Sequence, residues 1–251
     1  HFEMETGSLI LFRLQEKECK VIFVDESQDI SHIQYRVIQQ LSEKLGCHVI
    51  MIGDPDQNIY QFQGGSDTHL KNHSTIEIQL ITNYRSTRSI VSFINEFRPW
   101  KSSSSPLIAN RSEIGTKPII HCDNIKKQYQ YFIDDILNTN IPYENIAVIG
   151  PVKKARFNAH GYHTNFGLQI ISQLCNKHNI PHVCHYYLAD SDTSQKKKDS
   201  KPGHINLYTI HGSKGLEFDK VFILNFHHST MGRIPTIESY NEYKYLWYVA
   251  L

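Results

Sequence analysis

Two acidic residues, Asp25 and Glu26, stand directly after the four-residue apolar run Val21-Ile22-Phe23-Val24. Carboxylates at the C-terminal end of a buried parallel strand occupy the place where open α/β sheets bind ligands. Side by side there, one can hold Mg²⁺ on a nucleotide, because Mg²⁺ takes hard oxygen ligands and keeps several waters. The other can orient or deprotonate an attacking water. For the pair alone, an acidic turn capping the next helix is the plainer alternative.

Three further blocks carry similar potential. Gly53-Asp54-Pro55-Asp56-Gln57-Asn58-Ile59-Tyr60-Gln61-Phe62-Gln63-Gly64-Gly65 follows a second apolar run. Gly53 permits a sharp exit from that strand, and the Gln57 amide can sense a terminal phosphate or the attacking water. Tyr60 and Phe62 are either core rings or exposed platforms for bases, each stack being worth roughly 1–3 kcal/mol. In Asn83-Tyr84-Arg85-Ser86, Arg85 suits a phosphate clamp because guanidinium matches phosphate geometry, and Tyr84 suits an adenine stack. A surface arginine beside a helix-capping Ser86 is the alternative. Thr209-Ile210-His211-Gly212-Ser213-Lys214-Gly215-Leu216-Glu217-Phe218 offers two glycines through which backbone amides can approach a phosphate. It also offers a carboxylate, Glu217, for a ribose hydroxyl. The alternative is a plain turn, and Lys214 lacks the context of a phosphate-cradling lysine loop.

The elements that must position these residues alternate in period. Val21–Val24 and Val49–Ile52 read as strands buried on both faces. Between them Ile33, Val37, Leu41 and Leu45 repeat along one helical face, and Ser31 with Gln34 resembles a capping box. Strand, helix, strand implies a parallel pair with a crossover helix. The pattern continues with strands at Ile76–Ile81, Pro118–Cys122, Ile146–Ile149, Pro181–Tyr186, Ile205–Tyr208 and Val221–Leu224. Helices fall around Ile90–Phe97, Tyr129–Ile136 and Ile170–Leu174. The polar stretches Ser102–Ser105 and Ala189–Gly203 read as a linker and an exposed loop. The expected fold class is α/β.

The 251 residues suffice for one large domain or two small ones. Twenty-six basic against 25 acidic residues exclude nucleic-acid binding by bulk charge, so any such binding must be local and groove-like. No apolar run approaches the roughly 18 residues of a membrane span, no signal peptide opens the chain, and no membrane partner is expected. Five scattered cysteines without a Cys-x-x-Cys pair suit an intracellular, reducing compartment. Cys175, His178, His182, Cys184 and His185 have the spacing of zinc ligands, although a helix end, a turn and a strand explain the same stretch.

The four blocks, in this order, resemble motifs of the UvrD/Rep/PcrA family of superfamily 1 DNA helicases. Asp25–Asp29 is similar to its Walker B motif. Gly53–Gly65 is similar to the motif coupling ATP to single-stranded DNA. Asn83–Ser86 and Thr209–Phe218 are similar to two motifs of the second RecA-like domain, and Tyr243–Leu251 to the start of the last motif. The resemblance implies two RecA-like domains with parallel sheets, a partial first over 1–77 and a second over 78–251 with its exposed loop at 189–203. It implies an ATP-dependent helicase or translocase, moving 3′ to 5′, with ATP and Mg²⁺ as cofactors. The implied substrate is single-stranded DNA, or a duplex with a single-stranded tail. By resemblance Asp25 binds Mg²⁺ and Glu26 activates water, while Gln57 and Arg85 contact the γ-phosphate. Tyr84 stacks on adenine, Glu217 takes the ribose, and Gly215 lies at the nucleotide. Tyr60 and Phe62 form the DNA platform, with His211 and Lys214 also on the DNA side.

The chain departs from the family pattern in four ways. Gln63 replaces the usual arginine. No GxGKT loop stands in the 24 residues before Asp25, and the sequence stops at Leu251, short of the last motif's arginine. The polypeptide by itself is therefore expected not to turn over ATP; a catalytically inactive relative that holds nucleic acid or a partner is the alternative function. From Arg85 to Thr209 the chain runs only 124 residues. That is too short for the family's large inserted mobile subdomain, so a compact enzyme is expected.

Overall fold

The computed structural model describes residues 20–60, 64–72, 76–97, 105–150, 156–157, 163–165, 167–186, 201–224 and 248–250. The chain divides into two compact units, His1–Leu80 and Ile81–Leu251. The sequence alone places the division three residues earlier. Phe62, Gln63, the linker residues 102–104, residues 189–200 of the polar loop and most of 243–251 lie outside the described residues.

The first unit is built on a parallel pair, β1 (Val21–Val24) beside β2 (His48–Met51), with Val21 opposite His48 and Val24 opposite Met51. Helix α1 (His32–Leu45) makes the crossover. Its expected capping box is present. Ser31 Oγ accepts from the Gln34 amide at 3.3 Å, and Gln34 Oε1 accepts from the Ser31 amide at 2.8 Å. Two of the first turn's orphan donors are thereby satisfied. The expected apolar stripe is only partly used: Ile33 and Val37 are 76% and 58% exposed, whereas Ile38, Leu41 and Leu45 are half-buried. A sheet of two strands is too narrow to cover a whole helical face. A short helix, α2 (Thr68–Asn72), follows.

The second unit opens with another parallel pair, β3 (Thr82–Asn83) and β4 (Ile108–Ala109), flanking α3 (Arg88–Phe97). Its main sheet has four strands, all parallel, in the order β10-β5-β9-β8. These are β5 (Ile146–Gly150), β8 (His182–Cys184), β9 (Ile205–Thr209) and β10 (Lys220–Ile223). Every residue of β5 is buried, as expected of a continuous β-branched run in the middle of a parallel sheet. Helices α4 (Ile125–Leu137) and α5 (Leu168–Lys177) supply the core against it. Asn124 caps α4 by accepting from the Lys127 amide at 3.2 Å. Between β5 and α5 lies a small antiparallel pair, β6 (Arg156–Phe157) and β7 (His163–Asn165). Helix α6 (Ile210–Ser213) follows β9.

The core joins Phe132, Ile133 and Ile136 of α4 to Leu168, Ile171 and Cys175 of α5. Both pack on Ile146 and Val148 of β5 and on Ile205 and Leu207 of β9. Leu207 is fully buried there. Leu207→Ala is expected to cost about 2–5 kcal/mol through lost burial and the cavity left behind. Denaturant unfolding checks this, and a change under about 1 kcal/mol would contradict so tight a core.

Two expected strands are corrected. Ile76–Ile81 forms no strand; the strand that follows is Thr82–Asn83 alone. Ile76, Ile78 and Leu80 are 77%, 81% and 84% exposed, so the alternation has no facing layer among the described residues. Pro118–Cys122 likewise pairs with nothing described, and Ile119 and Ile120 are exposed. Periodicity describes a face, but a strand also needs a partner edge.

Of the two readings of Cys175 to His185, the helix end, turn and strand is the one observed, and among the described residues no group of three or more His, Cys, Asp or Glu can hold a metal. The candidate ligands diverge. Cys175 is sealed in the core, where burial pushes its thiol up to about 12, so it stays protonated. His182 and Cys184 share a face of β8 and turn to Ser172 of α5, at 2.8 Å and 3.7 Å. His185 takes the opposite face, bonding Asn206 Oδ1 at 2.9 Å and stacking on Tyr208. Alternation along the strand splits the set.

Candidate functional site

In the first unit two loops leave the C-terminal ends of β1 and β2 and are locked together. The Ile52 amide donates to Val24 O and the Ser27 amide to Ile52 O, both at 2.8 Å. The Ser66 amide donates to Ile30 O at 3.1 Å, beside an isolated bridge between Ser31 and Gly65. Gly65 is needed for this approach, because a Cβ there would stand 2.9 Å from Asp29 O. Gly53 serves the same end rather than a sharp strand exit: a Cβ would lie 2.2 Å from Gln28 Oε1.

Asp25 and Glu26 sit exposed at the mouth of these loops. Glu26 has φ +50, a left-handed conformation costly for a residue with a side chain. The Glu26 amide donates to Asp25 Oδ1 at 2.9 Å, and Gln28 Nε2 donates to Glu26 Oε2 at 2.6 Å. Gln28, only 1% exposed, also accepts the Asp54 amide at 3.0 Å on its Oε1. Asp54 receives the Gln57 side-chain amide at 2.9 Å. The structure thus brings together Glu26 and Gln57, which the sequence nominates. It adds Gln28 and Asp54, which sequence reasoning passed over. The only available signal was an amide inside an otherwise acidic turn. Tyr60 is half-buried, between the core and platform alternatives.

In the second unit Arg85 follows β3. The Asn83 side chain accepts from the amides of both Arg85 and Ser86, at 3.0 and 2.8 Å, which shapes the turn. Arg85 Nε meets Glu217 Oε1 at 2.5 Å across 132 residues of chain, so two of the nominated residues converge. Arg111 Nη1 holds the Arg85 carbonyl at 3.0 Å, a contact with no sequence signal. Tyr84 is 70% exposed, free in area for a planar ligand. The glycine-bearing segment is not a plain turn. Its first residues form α6, capped by Thr209 Oγ1 accepting from the Gly212 amide at 3.2 Å. His211 and Lys214 are half-buried beside it, and Gly215 lies exposed at φ +79.

The donor set fits Mg²⁺: Asp25 and Glu26 present hard, exposed carboxylate oxygens with room for waters. Asp25, Glu26, Gln57 and Arg85 follow the C-terminal ends of parallel strands, where α/β sheets bind nucleotides, and Glu217 lies on the connection from α6 to β10.

Residues 6–75 match the UvrD/REP helicase N-terminal domain, and residues 172–251 match the UvrD-like helicase C-terminal domain. A putative ATP-dependent DNA helicase of Acanthamoeba polyphaga mimivirus is 34% identical over 98% of this chain and 34% of its own length. A probable DNA helicase of Mycoplasma pneumoniae is 27% identical over 86% of this chain and 38% of its own. The ATP-dependent DNA helicase PcrA of Bacillus subtilis is 32% identical over 36% of this chain and 13% of its own. The chain spans little more than a third of the first two relatives.

Proposed function

The chain belongs to the UvrD-like helicase family, and from that premise we propose that the whole protein is an ATP-driven motor on single-stranded DNA, moving 3′ to 5′. What supports this reading is that four of the five nominated ATP-facing residues follow parallel strands, and that the fifth, Glu217, meets Arg85. In it, Asp25 holds Mg²⁺, which supplies charge neutralisation at the phosphates. Glu26 takes the proton of the attacking water, and Gln57 orients that water against the terminal phosphate. Arg85 binds the γ-phosphate, Glu217 the ribose, and Tyr84 stacks on the base, with Gly215 giving the nucleotide backbone room. Tyr60, Phe62, His211 and Lys214 face DNA, and a duplex with a single-stranded tail is the unwinding substrate.

Arg85 and Glu217 pair with each other in the structure. Their side chains are 58% and 62% exposed, and pairs that open contribute at most about 1 kcal/mol. A nucleotide can therefore claim both groups at little cost. The 251 residues by themselves contain no GxGKT stretch and are expected to be inactive alone.

The test is ATP hydrolysis by the full-length protein with and without single-stranded DNA. The expected result is stimulation by a DNA homopolymer, with unwinding of duplexes bearing a 3′ tail in preference to a 5′ tail. DNA binding without any ATPase would leave the inactive-relative reading instead. A 5′-tail preference would refute the polarity alone.

A further inference from the structure

Glu26 and Gln57 do not stand independently in the first unit. Gln28 Nε2 donates to Glu26 Oε2 at 2.6 Å, Gln28 Oε1 accepts from the Asp54 amide at 3.0 Å, and Gln57 Nε2 donates to Asp54 Oδ2 at 2.9 Å. This is one unbroken path from the carboxylate to the amide, and its central member is 1% exposed. Burying a side-chain amide is costly unless both its donor and its acceptor are used, and Gln28 uses both.

Two further observations show that the surroundings are shaped to keep it there. Gly53 leaves the space that Gln28 Oε1 fills, since a Cβ would approach to 2.2 Å. Glu26 is held at φ +50, a conformation that persists only where neighbouring contacts overdetermine it. A bond from Gln28 on its carboxylate and one from the Asp29 amide to its carbonyl, at 2.9 Å, supply those contacts.

We propose that Gln28 is a positioning residue for hydrolysis: its buried amide fixes the water-activating carboxylate of Glu26 and the phosphate-reading amide of Gln57 as one rigid unit. The inference rests on the ATPase reading above and deepens it. Gln28 touches neither water nor phosphate. It sets the distance between the groups that do, and preorganised groups held to within fractions of an ångström are what hydrolysis demands. A displacement of either loop reaches both groups through the same amide.

The experiment is steady-state, DNA-stimulated ATPase of the full-length protein carrying Gln28→Met, Gln57→Ala, both together, and Glu26→Gln. Methionine keeps the length and packing of Gln28 but none of its hydrogen bonds. The expected result for Q28M is a fall in kcat of about tenfold or more, with KM for ATP within about twofold, since ground-state binding is untouched. The double variant should be barely worse than the more impaired single one, because residues acting as a unit are not additive.

An unchanged kcat, a change confined to KM, or multiplicative losses in the double variant would each overturn the proposal. Nucleotide-free binding of a DNA homopolymer reports whether Q28M is folded. Should it not be, Asp54→Ala removes the acceptor of the Gln57 amide, breaks the same path one link on, and must show the same kcat-only loss, or the proposal fails. Glu26→Gln separates the two claims. If it collapses turnover while Q28M leaves kcat unchanged, only the positioning role falls. If it leaves turnover intact, Glu26 is not the base and the positioning role falls with it; absence of DNA-stimulated turnover in the unmodified protein is what removes the ATPase reading.

Discussion

Glu26→Gln in the full-length protein is expected to lower DNA-stimulated ATP turnover by about 10²–10⁴-fold, the usual contribution of a positioned general base. The substitution is close to isosteric. An amide oxygen at position 26 can still accept the hydrogen bond that Gln28 Nε2 now gives the carboxylate at 2.6 Å. Backbone contacts around the residue, including the Asp29 amide to its carbonyl, do not involve the side chain. What disappears is the ability to take a proton. ATP binding, followed by displacement of a fluorescent nucleotide, should therefore change by no more than a few-fold while phosphate release collapses. A residual rate within tenfold of the unmodified protein would remove Glu26 from the role of base.

Arg85→Ala should be at least as severe, on the order of 10³-fold or more, by analogy with the loss of an arginine that stabilises charge in phosphoryl transfer. Stability should scarcely move. The residue's ion pair with Glu217 is more than half exposed on both sides and is worth at most about 1 kcal/mol. Arg111 would lose nothing, since it binds the backbone carbonyl of residue 85 and not the guanidinium. Arg85→Lys should recover only part of the activity, because an ammonium cannot make the forked contact of a guanidinium. The measurement pairs kcat with a melting curve. A large drop in melting temperature with kcat intact would mean that Arg85 is a structural residue.

The nominated blocks were legible because each combines a strand neighbour with residue types suited to phosphate, water or sugar. Asp25, Glu26, Gln57 and Arg85 stand after parallel strands, and the capping box at Ser31 and Gln34 formed as read. The stretches that misled were apolar runs with strand-like alternation that take no strand conformation. Ile76-to-Leu80 alternates like a strand, yet its isoleucines and leucine stay outside any described layer. The zinc-like spacing failed for a related reason: alternation along β8 sends His182 and His185 to opposite faces. Gln28 was illegible because its role is set by the distance between two loops 26 residues apart, which no local pattern encodes. The convergence of Arg85 and Glu217 across 132 residues is a matter of topology in the same way.

The strand order of the main sheet bears on how the protein is made. β5 lies between β10 and β9, and both of its neighbours come later in the chain. The nearer, β9, begins 55 residues after β5 ends. At roughly 5–20 residues per second, a ribosome needs about 3–11 s to supply it. For that interval a fully apolar strand, Ile146–Gly150, has two open edges and nothing to pair with, the condition in which strands seek each other between chains. Nascent polypeptides stalled before Ile205 should be the ones that chaperones hold, and those released past Ile223 the ones they let go.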